Sequence, residues 1–481
     1  MRRRTSRLLG ALSLLLCLGS VTSAAGQCPG DCNGDGAVRI DELVSAVSSA
    51  LTGCAAASAC TPAGITVEPD VFRPSPPAAT PAGQGVLKLN DQVYQASGFG
   101  NTFLVVTPAG NVVIDTSIAL TSRRHRDALR AIDAGPVRYI ILTHSHADHI
   151  GGVGLWKEEG TQVIAQQNHV DFVHLEHRLA AMGRRRNAAQ FSRLFGLTAL
   201  PDYAPPDAPV ENEGGTVLAT ILFDRFYQFE LGGLTFQMLH TPGETYDHLT
   251  VWIPEYKIAF PGDNFYVSFP NISTLRGSQP RWALDYVHSL DTVLSWNPEI
   301  LAPSHGDPLY GRAHIRETVS RYRDAILHVH DETVRGMNAG KDVHTLMDEV
   351  ALPPGLEQNQ AYGSVPWSVR GIYEGYIGWF DANVSNMFSV PVRSVYPDLV
   401  ELAGGPDALT ARANAMTDAD EPRRALHMAD VVLAADPANS AALQAKRRAV
   451  GVLLAASTNV NEQGWLNAAL IEIDARLGTA R

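Results

Sequence analysis

Thr143-His144-Ser145-His146-Ala147-Asp148-His149 follows an apolar run over 137–142 and precedes Gly151-Gly152. An extended backbone sends alternate side chains to one side, so His144 and His146 can converge on a single cation. Asp148 and His149 follow on the turn and can face a second. Unrelated surface histidines would rarely reproduce the order His-x-His-x-Asp-His behind an apolar strand. The stretch therefore predicts a strand, a metal-binding loop and a helix inside an α/β domain.

Around it the pattern is that of short strands, over 93–95, 102–106 and 111–115, the last after the turn Pro108-Ala109-Gly110. Helical spacing takes over in 121–134, and strands, helices and loops alternate to about Gly306. Beyond that the chain reads as helical, with amphipathic segments at 312–338, 421–435, 439–456 and 460–477 broken by Pro and Gly. Asp436-Pro437-Ala438-Asn439 has the composition of a helical-hairpin turn. The expected organisation is an α/β domain over 86–310 and an all-α region over 311–481.

The amino terminus carries Arg2, Arg3, Arg4 and Arg7, an apolar run over 8–21, then Ser23, Ala24 and Ala25. These are the parts of a signal peptide ending near residue 26, and the run is too short to span a bilayer. The expectation is a secreted or periplasmic protein without a stable membrane anchor. The formal charge is −12, and loss of residues 1–26 leaves 34 basic against 50 acidic side chains, which disfavours nucleic acid as a partner. Four cysteines remain, Cys28, Cys32, Cys54 and Cys60, all in 27–60. In an oxidising compartment they suggest two disulfides, with three connectivities open.

The same segment places oxygen donors at Asp31, Asn33 and Asp35, a turn glycine at Gly36, a free carbonyl at Ala37 and a bidentate carboxylate at Glu42. It resembles a single EF-hand or dockerin-like repeat binding one calcium ion. Pro, Ala and Gly then dominate 61–85, which reads as an extended linker.

Further motifs follow the histidine loop in order: His240-Thr241-Pro242-Gly243-Glu244, Phe260-Pro261-Gly262-Asp263-Asn264 and Pro303-Ser304-His305-Gly306. With them the chain resembles the metallo-β-lactamase fold. That resemblance implies an αββα sandwich holding two zinc ions. His144, His146 and Glu244 would take one, Asp148, His149 and His305 the other, and Asp263 would bridge them, while His240 stays structural. Every donor is N or O, as zinc accepts. Two cations about 4 Å apart that share a water lower its pKa and stabilise negative charge, so the chemistry implied is hydrolysis by a bound hydroxide. Asp148 and Asp263 are the carboxylates expected to be catalytic.

A second series of matches makes the chain similar to alkyl sulfatases of this fold. It comprises Asn271-Ile272-Ser273-Thr274-Leu275-Arg276-Gly277, Tyr362-Gly363-Ser364-Val365, Gly378-Trp379-Phe380-Asp381-Ala382-Asn383 and Leu402-Ala403-Gly404-Gly405. The resemblance implies that Asn271 and Arg276 bind the sulfate group, and that the helical region forms a homodimer. A guanidinium fork and an amide suit a monoanion with three projecting oxygens. The substrate expected is thus a small sulfate ester, cleaved to alcohol and inorganic sulfate. Two other readings stand beside it: a dizinc hydrolase of lactones, β-lactams or phosphodiesters, and a non-catalytic protein docked through its calcium module. His169, His174, His177, His328 and His330 are read as packing or surface residues.

Overall fold

The computed structural model describes residues 80–83, 85–203 and 218–479. The segments expected to be a signal peptide and a calcium loop, and the cysteines, all lie outside the described residues.

Two sheets carry the α/β part. The first has eight strands in sequence order, from Thr80–Gly83 through Val86–Lys88, Val93–Ala96, Thr102–Val105, Asn111–Ile114, Val137–Ile141 and Gln162–Gln166 to Ile221–Phe223. Its pairings are antiparallel as far as Asn111–Ile114 and parallel thereafter. The second has six strands, Phe226–Leu231, Leu234–His240, Leu249–Ile253, Ile258–Phe260, Ile300–Leu301 and Leu309–Tyr310, also in sequence order. One of its pairings, between Ile258–Phe260 and Ile300–Leu301, is parallel.

Strand periodicity sorts the side chains into layers. Phe103, Val105, Val112, Ile114 and Ile141 point inward and meet Phe236, Met238, Val251, Ile253 and Phe260 of the other sheet. Their neighbours Leu104, Val113 and Ile140 point outward and pack with Leu129 of helix Ala119–Arg130 and with Trp156. On the far side Trp252, Ala259 and Leu301 pack under Tyr286, Leu290 and Val293 of helix Ala283–Trp296. The result is the αββα sandwich expected from the motifs.

Helix Arg312–Asn338 opens the helical region, yet its Ile315, Val319 and Tyr322 belong to the same buried cluster as Tyr286 and Leu290. Pro422–Ala435, Ser440–Ala456 and Val460–Leu477 follow, with Val432, Leu433, Leu443, Val450 and Ile473 forming a separate core. One reading changes. Thr80–Gly83, inside the stretch expected to be linker, is a strand paired with Val86–Lys88, Pro81 opposite Leu87. Extended Pro-containing backbone is compatible with a strand at a sheet edge, where one row of donors is not needed.

Candidate metal centre

The site is assembled where strands of both sheets end. Ile114 is in register with Ile141, so the residues that follow, Asp115 and Thr143, are brought together. Asp115 adopts φ 53° and turns its carboxylate back into the fold. There it accepts from Thr143 N at 2.8 Å, Thr143 Oγ1 at 2.7 Å, His149 Nδ1 at 2.9 Å and Ser304 Oγ at 2.8 Å. One buried carboxylate thus ties the histidine loop to the segment bearing His305. Leu249 N donates to Thr143 O at 2.8 Å and joins the loop to the second sheet.

Two donor sets result. Asp148, His149, Asp263 and His305 bring ligand atoms within 4.8 Å of one another, and so do His144, His146 and Asp263. In the first set His149 Nε2 lies 3.4 Å from Asp263 Oδ2 and 3.5 Å from Asp148 Oδ2. His305 Nε2 lies 3.2 Å and 3.3 Å from the same two oxygens. The edge of a tetrahedron built from zinc bonds of about 2.0–2.1 Å is roughly 3.4 Å, so the spacing suits one cation. Asp263 Oδ2 is also 3.8 Å from His144 Nε2, which makes it the carboxylate common to both sets.

The donor chemistry points the same way. His149 gives its Nδ1–H to Asp115, which leaves its Nε2 turned to the site, buried without a hydrogen-bond partner and facing two carboxylates. Such an arrangement needs positive charge between its members. Burial opposes a charge on His305, but Asp263 and Asp148 outweigh it and hold its pKa up to about 10. Burial similarly opposes protonation of His149, but Asp263, Asp148 and Asp115 outweigh it and hold its pKa well above the usual histidine range, a surplus of negative charge in which a cation would take the place of the proton at Nε2. His144 and His146 are pushed well below it, chiefly by burial, and stay neutral as ligands must. The residues present therefore fit a divalent metal cofactor.

Glu244 stands at the edge of the second set. Its Oε1 is 3.8 Å from His146 Nδ1 and paired with Arg281 Nη1 at 2.5 Å, while its Oε2 accepts from Tyr286 Oη at 2.6 Å. Arg276 and Asn271 are nearby. Arg276 Nη2 approaches His146 Nε2 to 3.4 Å, and its Nε is buried without a partner. Both side-chain amide atoms of Asn271 are likewise buried and unpartnered, and its backbone carbonyl accepts from Arg281 Nη1 at 2.8 Å.

Several supporting residues are absent from the motif reading. Asp115 had a signal, a carboxylate closing an apolar strand. His248 did not: its ring lies 5.2 Å from that of His144, and its Nε2 accepts from Asp263 N at 3.1 Å. Burial pushes its pKa down to about 3, which keeps that nitrogen an acceptor. Arg281 and Tyr286 also lack a local signature. Of the other histidines, His174 and His177 are exposed, His169 is buried against Ser145 Oγ at 2.6 Å, and His330 meets Tyr376 Oη at 2.7 Å. His240 Nε2 meets the carbonyl of Tyr246 at 2.9 Å, away from both donor sets.

This fold and these donor sets have known counterparts. The metallo-beta-lactamase superfamily model matches residues 97–305, which contain every proposed zinc ligand. A second model, alkyl sulfatase dimerisation, matches residues 342–474. A linear primary-alkylsulfatase of a Pseudomonas species is 29% identical over 391 residues, 78% of this chain and 74% of the relative. Alkyl/aryl-sulfatase BDS1 of Saccharomyces cerevisiae is 27% identical over 85% of this chain and 66% of its own length. The solved stereoselective inverting sec-alkylsulfatase Pisa1 from a Pseudomonas species superposes with a TM-score of 0.73 at 22% identity, covering 82% of this chain and 66% of that one. The chain thus spans about two thirds to three quarters of these relatives. The two matches fall in the order of the observed fold, the first on the sandwich and the second on the helical region, and the superposition shows the same fold.

Proposed function

We propose that this protein hydrolyses alkyl sulfate esters to an alcohol and inorganic sulfate at a pair of zinc ions. The observation that carries the reading is a pair of buried donors without partners, Arg276 Nε and Asn271 Nδ2, on the loop whose Arg276 reaches His146. Leaving such groups unpaired is costly, by about 1–3 kcal/mol each, and an anion of sulfate geometry relieves it. His144 and His146, with Glu244 beside them, would hold one ion, Asp148, His149 and His305 the other, and Asp263 both. A bound pair of divalent ions supplies a strong nucleophile at neutral pH and positive charge opposite the developing negative charge. Arg276 and Asn271 orient the ester, Arg281 holds Asn271 and Glu244 in a common frame, and Asp115 fixes the tautomer of His149. The names of the relatives support the same substrate class.

Zinc-loaded protein is to be incubated with a medium-chain alkyl sulfate and inorganic sulfate measured, beside Asp148→Ala and Arg276→Ala. Release by the unsubstituted protein alone supports the proposal. Turnover of a lactone or phosphodiester, with no sulfate release and an indifferent Arg276→Ala, would replace it.

We further propose a homodimer built on the arm at 376–402, where Trp379, Phe388, Val392 and Leu402 are 74%, 66%, 66% and 83% exposed. The arm lies within the region matched by the dimerisation model, and an apolar surface of this kind calls for a second copy. Among the described residues no helix is long and apolar enough to cross a membrane. Export through residues 1–26, and a calcium ion held by Asp31, Asn33, Asp35, Ala37 and Glu42, are proposals from sequence alone.

A further inference from the structure

We infer that the last helix, Val460–Leu477, is a working part of the substrate site: it braces both ends of the loop carrying Asn271 and Arg276. The inference rests on the sulfate-binding reading of those two residues, but its physical content can be tested without it.

The first route runs through helix Ala180–Phe191. Arg186 and Gln190 are one turn apart and share a face. Arg186 Nε donates to Arg276 O and its Nη2 to Leu275 O, both at 2.5 Å. Gln190 Oε1 accepts from Arg276 N at 2.8 Å and from Thr274 Oγ1 at 3.3 Å. The backbone on either side of the Arg276 side chain is therefore held by one helical face. That helix is in turn seated on the last one. A Cβ added at Gly464 would overlap the carbonyl of Gln190, so only glycine permits this approach. Ser192 Oγ donates to Gly464 O at 2.8 Å, and the Arg186 guanidinium lies 5.1 Å from the ring centre of Trp465.

The second route leaves from the other end of the loop. Asn459 and Asn461 donate their side-chain amides to Tyr362 O at 3.0 Å and 2.8 Å, and Asn459 also reaches Gln360 O at 2.7 Å. Those residues press on the backbone just ahead of Asn271. Phe269 N donates to Asn359 O at 2.6 Å, and a Cβ at Gly363 would overlap the carbonyls of Phe269 and Pro270. Asn459 caps the helix, its side chain accepting from Asn461 N and Glu462 N. One helix therefore fixes residues 269–276 through two independent sets of contacts. A displacement of about 1 Å in a binding group costs on the order of 100-fold, so this bracing bears on affinity for the ester.

The test uses the full-length, zinc-loaded protein with Gly464→Ala, Trp465→Ala, Trp465→Phe and Arg276→Ala. Metal content, KM and kcat on an alkyl sulfate, and amide exchange over 272–279 are measured for each. Gly464→Ala and Trp465→Ala should raise KM about 10- to 100-fold, toward Arg276→Ala, and speed exchange at the Arg276 amide while zinc content holds. Trp465→Phe, which keeps an aromatic face, should recover most of the loss. Unchanged exchange and KM in soluble, metal-replete Gly464→Ala and Trp465→Ala would overturn the inference. Faster exchange in a protein that releases no sulfate would uphold the bracing and remove the functional reading instead.

Discussion

Asp115→Asn is the most informative single substitution at the metal centre. The change is nearly isosteric, and the side chain is fully buried. Its Oδ1 accepts from Thr143 N, an interaction an amide oxygen can keep. Its Oδ2 accepts from Thr143 Oγ1, His149 Nδ1 and Ser304 Oγ, and an NH2 group can accept none of these. Three donors lose an ionised acceptor, and hydrogen bonds to charged groups contribute about 1.5–3 kcal/mol each before the hydroxyls find other partners. Reorientation of the two hydroxyls spares part of this, leaving an expected loss of roughly 2–4 kcal/mol in stability. The imidazole suffers more directly, because nothing then selects the Nδ1–H tautomer that leaves Nε2 free. Loss of such an outer partner lowers metal affinity about 10- to 100-fold, or roughly 1.4–2.7 kcal/mol. Zinc retention against a graded chelator series, with urea unfolding of the metal-free protein alongside, separates the two effects. Wild-type zinc retention by folded Asp115→Asn would refute the claim that this carboxylate sets His149 as a ligand.

Other consequences can be checked separately. Gly262 has φ 55°, and a Cβ there would overlap His248 Nε2, so Gly262→Ala should destabilise by about 2 kcal/mol or more in urea unfolding and release zinc. Tyr286→Phe removes the hydroxyl that donates to Glu244 Oε2 at 2.6 Å and should cost about 1–3 kcal/mol by the same measurement. Burial and Arg124 push the pKa of His125 down to about 4, so the unfolded chain takes up its proton first. That stability is complete above the unfolded pKa of about 6.5 and is lost as pH falls toward 4, so metal-free His125→Gln should show a shallower decline in melting temperature across that interval. In sedimentation, Trp379→Asp with Leu402→Asp should convert a dimer to monomers, and an unchanged mass would remove the arm from the interface.

What could be read in the chain beforehand follows a physical division. His144, His146, Asp148, His149, Asp263 and His305 are polar residues placed after apolar strands, so local pattern pointed to the residues that the structure gathers into two donor sets. The layers were legible for the same reason, since alternation such as Phe103-Leu104-Val105 assigns each side chain to a face. Asp115 had half a signal: its position was visible, but its partner Ser304 lies 189 residues away. Arg281 had none, because a buried arginine is recognisable only through the carboxylate opposite it, here Glu244, 3% exposed and held by both Arg281 and Tyr286. The strand at Thr80–Gly83 was missed because composition reports flexibility and cannot report that Val86–Lys88 offers an edge to pair with.

Glu244 shows why the distinction matters for mechanism. From the motif alone it is a ligand like the others, yet in the structure Arg281 and Tyr286 each engage one of its oxygens. Arg281 also holds the carbonyl of Asn271, so the group neutralising the Glu244 charge is the group that places the amide proposed to bind sulfate. Arg276, meanwhile, approaches Nε2 of His146, whose Nδ1 faces Glu244. The donor sets and the proposed anion clamp are therefore mechanically joined through two arginines, and the inferred dependence of the clamp on Trp465 rests on how Arg186 holds the backbone of Arg276. In such an arrangement a change in the helical region should appear first as weakened binding of the ester, with the cations still in place.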